Sequence, residues 1–545
     1  MTADSHKSIV SRIVRASFAV AAAHFSFKLV GLIQFVIAGQ YFNDALFDVV
    51  YVFAFEGVLL SIFLIGEEVI IPSFLPVFME QKKLRGESAA WQLVNVFLTV
   101  QTILLLLVIL VIMCFPDQVI ELLTYWDTDT DPGKVEIARQ SVVWLAPGIL
   151  CLSLGSTTYM LLNGYKRFFL AAFGDASWKI CILVSLVIGI GIFHLDYRAL
   201  VFGLSAGSVA KLLTHLIGLI DKLRHLRPNL NLRHPALKTI LILMLPLIAG
   251  ILFAKFRDIY NHVTILSYLK TDGLMKANSA GRKLYLAISW LVPYAVSIAL
   301  FPFFCELVDK NDRRRLGEIM TNAGRMLLAL FIPGAILVAV LSEPLAMVLF
   351  RGGEFTQQTT QWAALSNTCY ILVLPAFALE YILMQGFFAN RKMVSVTVIG
   401  MIFSAVSIAI SYVCIRHLGI RGPGALMAVA LGYVIARTLK TVTLIGVLKR
   451  TVPMFSPAAT LWFVFKMLVI GLIVGAAGYL GTAVFEAHIS AANSKPVQFI
   501  KLCSCGAVGV VVYIVGIVVL RVREPWTMCE WALQKVRRRR AEGAM

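Results

Sequence analysis

Fourteen apolar stretches follow one another along this chain of 545 residues, and each is long enough, or nearly so, to cross a ~30 Å hydrocarbon core as a helix. They fall near 17–39, 49–77, 91–115, 140–163, 168–193, 198–220, 236–262, 275–305, 318–342, 361–388, 393–415, 423–447, 459–484 and 497–521. Composition agrees: 59% of residues are hydrophobic and 14% charged, against about 25% charged in a soluble domain. The expected fold class is therefore an all-α polytopic membrane protein with about fourteen transmembrane helices. The largest aqueous loop runs only from about Pro116 to Arg139, which leaves no room for a globular catalytic head. The chain is not expected to be an enzyme. The first apolar run is too long for a cleavable signal peptide and lacks a small-residue cleavage site.

The chain also repeats itself. Pro76-Val77-Phe78-Met79-Glu80 returns as Pro302-Phe303-Phe304-Cys305-Glu306, 226 residues later (302 − 76). His194-Leu195-Asp196-Tyr197-Arg198 returns as His417-Leu418-Gly419-Ile420-Arg421, at an interval of 223 (417 − 194). Between them, Asn163 to Arg167 resembles the stretch from Gly386 to Lys392 at a similar interval. Three echoes in one order argue for duplication of a unit of about 220 residues, a device of secondary transporters. Six apolar stretches precede residue 225 and six more precede 450, and because six is even both copies enter the membrane from the same side. The expected organisation is two parallel six-helix repeats, residues 1–225 and 226–450. A C-terminal helix pair and basic tail follow in 451–545, and the working site is expected between the lobes.

The net charge of +19 raises the question of nucleic acid. Its distribution answers it. Lysine and arginine gather in alternate loops: Lys82, Lys83, Arg85; Lys166, Arg167; Lys222, Arg224, Arg227; Arg313 to Arg315; Arg391, Lys392; Lys449, Arg450; and the tail through Arg540. The intervening loops are acidic or poor in cations, Asp117 to Asp131 above all. This is the positive-inside pattern, which predicts cytoplasmic termini, contact with anionic membrane lipids and no nucleic-acid partner. Nine cysteines lie mostly inside apolar segments without ligand spacing, so no metal or cofactor is expected.

Charges inside spans are costly, about 2.5–3.5 kcal/mol at the bilayer centre on insertion scales, and should face a polar interior or a partner. Lys28, with His24 and Gly31 on its face, lies midway along the first span. Glu56 and Glu67 are close to three α-helical turns apart in the second, and so share a face. Arg282 and Lys283 lie in the eighth. Asp175 and Lys179 form an i, i+4 pair expected to neutralise itself, while Lys211 and His215 are near a helix end where lysine can snorkel. Lys28, Glu56, Glu67 and Arg282 are the candidates to face a cavity. Subtracting 226 from 282 gives 56, so repeat-related positions would carry opposite charges. Glu56 and Arg282 are therefore a candidate gating pair. Two strings are read as structure. Gly203-Leu204-Ser205-Ala206-Gly207 imitates a nucleophile elbow but lies within an apolar helix, where two glycines four apart admit a close neighbour. Pro423, after Gly422, suits the first position of a membrane helix.

Several segments, taken in order, resemble one family. Pro344-Leu345 through Leu349-Phe350, Gly353 and Phe355 is similar to the "PL…LF-x-x-G-x-F" segment of the MurJ/MviN family of lipid II flippases. Asn43-Asp44-Ala45-Leu46-Phe47 resembles its "TDAFF", Phe74-Leu75-Pro76 its "F-[IV]-P", Ala280-Gly281-Arg282 its "A-D-R", and Leu300-Phe301-Pro302 its "LLP". The resemblance covers the chain to at least Arg450, and fourteen spans is also the family's number. It implies an alternating-access flippase carrying undecaprenyl-pyrophosphate-linked peptidoglycan precursor across the bacterial inner membrane, with cell-wall synthesis machinery as a partner. It adds Asp44 to Lys28, Glu67 and Arg282 as substrate-binding candidates. The chain also departs from the family's pattern. Lys28, Gln34 and Phe35 replace two arginines and an acid of the first helix, Ile62 and Phe63 stand where an arginine is usual, and Gly281 replaces an acid. A flippase for another polyprenyl-linked glycan, or a drug-type antiporter, therefore stays open. So do a polytopic glycosyltransferase or polymerase and a cell-wall scaffold without transport.

Overall fold

The structure, a computed structural model, describes residues 29–233, 235–289, 292–390, 392–488, 494–522 and 524. Helices account for almost all of them, with one isolated bridge between Gly352 and Phe355. Among the described residues, eleven helices are long and apolar enough to cross a membrane. Three features separate that number from fourteen. The first expected span is described only from Leu29–Tyr41. The second and third lie in one run, Asp44–Cys114, that is kinked at Gly86. The eighth is divided into Leu274–Ser289 and Val292–Asp309.

The long element breaks at Gly86, whose φ of 85° is open to glycine and strained for most other residues. Its first part, Phe47–Leu60, is wound as a π-helix. The wider turn places Phe47, Tyr51 and Phe55 in a buried aromatic row, with Phe47 and Tyr51 stacked at 4.7 Å. Glu56 lies in the π-helical stretch and Glu67 in the α-helical one beyond it, so the spacing between them is not three uniform α turns.

The chain divides into two compact units, residues 1–276 with 352–355, and residues 277–351 with 356–545. The division falls at 276/277 rather than near 225, because the helix Pro235–Ile259 packs on Ser61–Cys114 within the first unit. Ala236, Leu237 and Ile240 share a core there with Phe74, Phe78 and Trp91. In the second unit, Pro457–His488 packs on Arg313–Val340, where Gly471 and Gly475 admit the Ile336 side chain.

Helix boundaries recur at a fixed interval. Pro132–Gly164 begins and the run Gln357–Ala389 begins 225 residues later (357 − 132), and they end 225 apart as well (389 − 164). Phe168 and Met393 open the next helices at the same interval, as do Arg198 and Pro423. The turn after each second helix repeats bond for bond. Phe193 and Leu195 donate to the carbonyls of Ile188 and Gly189, while Leu418 and Ile420 donate to those of Val413 and Cys414. His194 and Gly419 are the left-handed residues, with φ of 50° and 66°. Backbone conformation thus matches His194 with Gly419, two residues beyond the His417 of the sequence echo.

Two glycine readings hold. A Cβ on Gly203 would lie 2.6 Å from Ser185 Cβ, and one on Gly207 would lie 2.7 Å from the Trp178 carbonyl oxygen, so these glycines let Phe168–Gly191 and Arg198–Gly218 close together. Pro423 opens its helix behind Gly422, whose φ is 56°. The basic loops of each unit converge. In the first unit Lys222 pairs with Glu87 at 2.7 Å, and Arg167 grips both carboxylate oxygens of Asp221 at 2.6 and 2.8 Å. That guanidinium holds the Asp221 carboxyl below its ordinary range. In the second unit Arg313 and Lys392 both donate to Thr451.

Candidate functional site

Three clusters of charge lie inside otherwise apolar helices. In the first unit, Gly273 with φ of 84° turns the chain into the helix Leu274–Ser289. The buried Asp48 carboxylate accepts from the backbone N–H of Gly273 at 2.8 Å and of Lys276 at 2.7 Å, satisfying donors that a helix start leaves open. The Lys276 ammonium is fully buried. It donates to Asp44 Oδ1 at 2.9 Å, the Phe42 carbonyl at 3.0 Å and the Glu354 carbonyl at 3.1 Å, between the rings of Phe47 and Phe355. Three N–H groups meet three acceptors. Glu354 in turn donates its backbone N–H to Gln40, and Gly353 is required because a Cβ would lie 2.1 Å from the Gln40 carbonyl oxygen. The segment Asn43–Phe47 and the stretch Gly352–Phe355 of the same unit, both within motifs singled out in the sequence, are joined through a lysine that sequence reasoning missed. Asp44 belongs to this clasp.

The second cluster is also in the first unit. Lys211 is fully buried and pairs with Asp175 at 2.7 Å, with the Phe63 ring beneath its ammonium at 4.6 Å. One expectation for these residues is corrected and one extended: Lys211 does not snorkel, and it pairs with Asp175, which Lys179 also reaches electrostatically. Burial decides this, since an ammonium enclosed by Phe63, Trp178 and Gly155 cannot reach the surface. Glu67 lies within electrostatic reach of Lys211, Asp175 and Lys255. His215, one turn beyond Lys211, has Nδ1 3.0 Å from Thr158 Oγ1 and Nε2 3.1 Å from the Ala171 carbonyl. Gly174 makes room for that ring, as a Cβ would fall 2.0 Å from Nε2.

The third cluster is in the second unit. Glu380, 2% exposed, receives Arg437 Nε at 2.8 Å on one oxygen and Lys440 Nζ at 2.7 Å on the other. Arg437 also donates to Tyr433 Oη at 2.5 Å and stacks over Phe377 at 4.1 Å. Tyr285, Tyr370 and Tyr433 lie against one another, with Tyr285 and Tyr370 stacked at 5.4 Å. Tyr285 is within electrostatic reach of both Arg282 and Arg437. The structure thus brings the half-buried Arg282 to the edge of a cationic cluster whose other members the sequence reading did not select. The available signal was charge inside a span: Glu380 interrupts an apolar run, and Arg437 and Lys440 share a helix face at i, i+3.

Of the remaining candidates, Lys28 lies outside the described residues. Glu56 is half-buried in the first unit and Arg282 belongs to the second. No group of three or more metal-ligating side chains forms among the described residues.

Residues 38–497 match the family described as "Lipid II flippase MurJ". The chain belongs to that family. A "Probable lipid II flippase MurJ" of Bdellovibrio bacteriovorus is 24% identical over 507 residues, covering 92% of this chain and 94% of the relative. The "Lipid II flippase MurJ" of Burkholderia cenocepacia is 23% identical, with 87% and 91% covered. Among solved structures, an inward closed lipid II flippase MurJ superposes with a TM-score of 0.74 at 17% identity, covering 92% of this chain and 98% of that one. An inward-facing multidrug resistance MATE transporter of the MOP superfamily reaches 0.67 at 14% identity, with 79% and 99% covered. The structural likenesses establish the fold.

Proposed function

We propose that this chain is a lipid II flippase: it carries undecaprenyl-pyrophosphate-linked peptidoglycan precursor from the inner to the outer leaflet by alternating access. The match to the MurJ family over residues 38–497 carries this reading, and the partly exposed Arg437 and Lys440 inside an apolar helix support it, because an anionic pyrophosphate needs cations where water is scarce. The finer organisation belongs to the same proposal: fourteen spans, two parallel six-helix repeats with a C-terminal pair, both termini cytoplasmic in the inner membrane. Contact with cell-wall synthesis machinery, and transport rather than catalysis, complete it. The recurrence of helix boundaries at 225 residues supports the duplication.

Lys28, Glu67 and Arg282 are proposed to meet the head group in transit, and Glu56 with Arg282 to act as a gating pair, on the 226-residue interval of the Pro76/Pro302 echo alone, since the 225-residue interval of the later helix boundaries pairs Arg282 with Gly57. Asp44 is proposed to act through its hold on Lys276. The test is depletion of the host's flippase and replacement by this chain: lipid II should become accessible on the outer leaflet, and Arg282→Ala should abolish rescue at normal abundance. Accumulation of a different polyprenyl-linked carrier, with lipid II unaffected, would overturn the substrate. Cysteines at 56 and 282 that never crosslink in any trapped state would overturn the gate.

A further inference from the structure

We infer that Arg437 and Lys440 form a phosphate-binding subsite in the second unit, and that Glu380 is its built-in counter-ion, displaced when the pyrophosphate of a polyprenyl-linked substrate arrives. This rests on the proposed transport of such a substrate. The first observation is a charge imbalance: one carboxylate is shared by two cations. The second is the order of burial. Glu380 is sealed at 2% exposure, whereas the Arg437 and Lys440 side chains each keep 19%, so the reachable face of the cluster is cationic. An arginine fork beside a lysine point charge suits a pyrophosphate, whose oxygens accept several charge-assisted hydrogen bonds. Phe377 at 4.1 Å and Tyr433 at 5.6 Å lie against the guanidinium and fix its orientation, and Tyr285 backs Tyr433.

Depth distinguishes the two sources of phosphate in a membrane. Arg437 and Lys440 lie twelve and nine residues before Lys449, the last residue of their helix. At ~1.5 Å per residue that is roughly 18 and 14 Å from the end of a helix about 40 Å long, which puts Arg437 near the middle of a ~30 Å core and Lys440 about one turn from it. A resident phospholipid keeps its head group at the surface. A transported lipid must bring its pyrophosphate through this level.

The experiment uses the purified full-length chain in detergent, with binding read by native mass spectrometry. The probes are undecaprenyl pyrophosphate, lipid II and phosphatidylglycerol. Lys440→Gln should weaken both polyprenyl probes by about tenfold, the scale of one charge-assisted bond, and leave phosphatidylglycerol unchanged. Glu380→Gln should tighten them several-fold, an effect opposite in sign to that of a merely structural acid. Arg437→Lys, which keeps the charge and loses the fork, should weaken them less than Lys440→Gln and serves where Arg437→Gln does not fold. Unchanged affinities in these variants, with wild type binding lipid II, would overturn the subsite and leave the flippase reading standing. An equal loss of phosphatidylglycerol would overturn the assignment to substrate. Wild type that binds neither polyprenyl probe would overturn both readings.

Discussion

The helix Arg198–Gly218 in the first unit and the helix Pro423–Lys449 in the second each hold a lysine inside an apolar span, Lys211 and Lys440, and the two lysines meet different company. Lys211 has no exposed surface and faces two acids, Asp175 at 2.7 Å and Glu67 within electrostatic reach. Lys440 keeps 19% of its side chain exposed and shares a single acid with Arg437. The residue 225 before Glu380 is Gly155, which offers Lys211 only backbone and space, so in the first unit the carboxylate comes from a different helix. The residue 225 before Lys440 is His215, enclosed by carbonyls and a threonine. Matching helix boundaries therefore carry different electrostatics: in one unit a fully enclosed lysine paired with an acid, and in the other a sealed acid shared by two partly exposed cations. Chemistry lives in the side chains placed on the frame rather than in the frame.

The largest effect should come from the closed cluster. Lys211→Met removes the cation and leaves Asp175 without its partner, a change that costs about 3–5 kcal/mol when a buried pair is broken from one side. Thermal unfolding in detergent should drop by many degrees, and Asp175→Asn added to Lys211→Met should recover part of the loss. A Lys211→Met protein as stable as wild type would mean that the cluster is not closed, and the contrast would fail at its stronger end.

Glu380→Gln should cost less, about 1–3 kcal/mol, because the two cations it abandons keep some access to solvent and an amide still accepts a hydrogen bond. Loss as large as that of Lys211→Met would make the second cluster a structural clamp like the first.

What the sequence discloses follows from how local the physics is. Gly203 and Gly207 announce a close helix approach because small residues four apart form a groove whatever lies across it, and the structure puts Trp178 and Ser185 there. Pro423 and the basic loops are equally local signals. Pairing is different. Glu380 meets residues 57 and 60 positions away, and Lys276 is bonded to Asp44 232 positions away, separations that no periodicity encodes. Lys211 looked like a snorkelling residue because helix position is readable and enclosure by Phe63 and Trp178 is not. The π-helical stretch Phe47–Leu60 escaped for the same reason, since its apolar sequence suits an α-helix as well.

A smaller effect tests the packing around the closed cluster. Gly207→Ala would put a methyl 2.7 Å from the Trp178 carbonyl oxygen, which is backbone and cannot swing aside. Overpacking of that kind costs about 1–3 kcal/mol, and Trp178 would shift against Lys211. Thermal unfolding should report the loss. A neutral result would show that the two helices separate freely.

The smallest effect compares one glycine from each unit. A Cβ on Gly155 would lie 3.3 Å from Lys211 Cε and 3.5 Å from Cδ, while one on Gly446 would meet nothing within 4 Å. Alanine gains about 0.8–1 kcal/mol over glycine in a helix interior, so Gly446→Ala should stabilise by that order. Gly155→Ala gains the same propensity and must push on a lysine stem whose ammonium is tied to Asp175. The two terms nearly cancel, so its unfolding temperature should stay close to wild type and below that of Gly446→Ala. The difference between the two variants measures how firmly Lys211 is held, because a stem free to move would yield a few tenths of an ångström without cost. Equal stabilisation by both would show that Lys211 gives way as easily as an open cation, and the distinction between the two clusters would then rest on charge count alone.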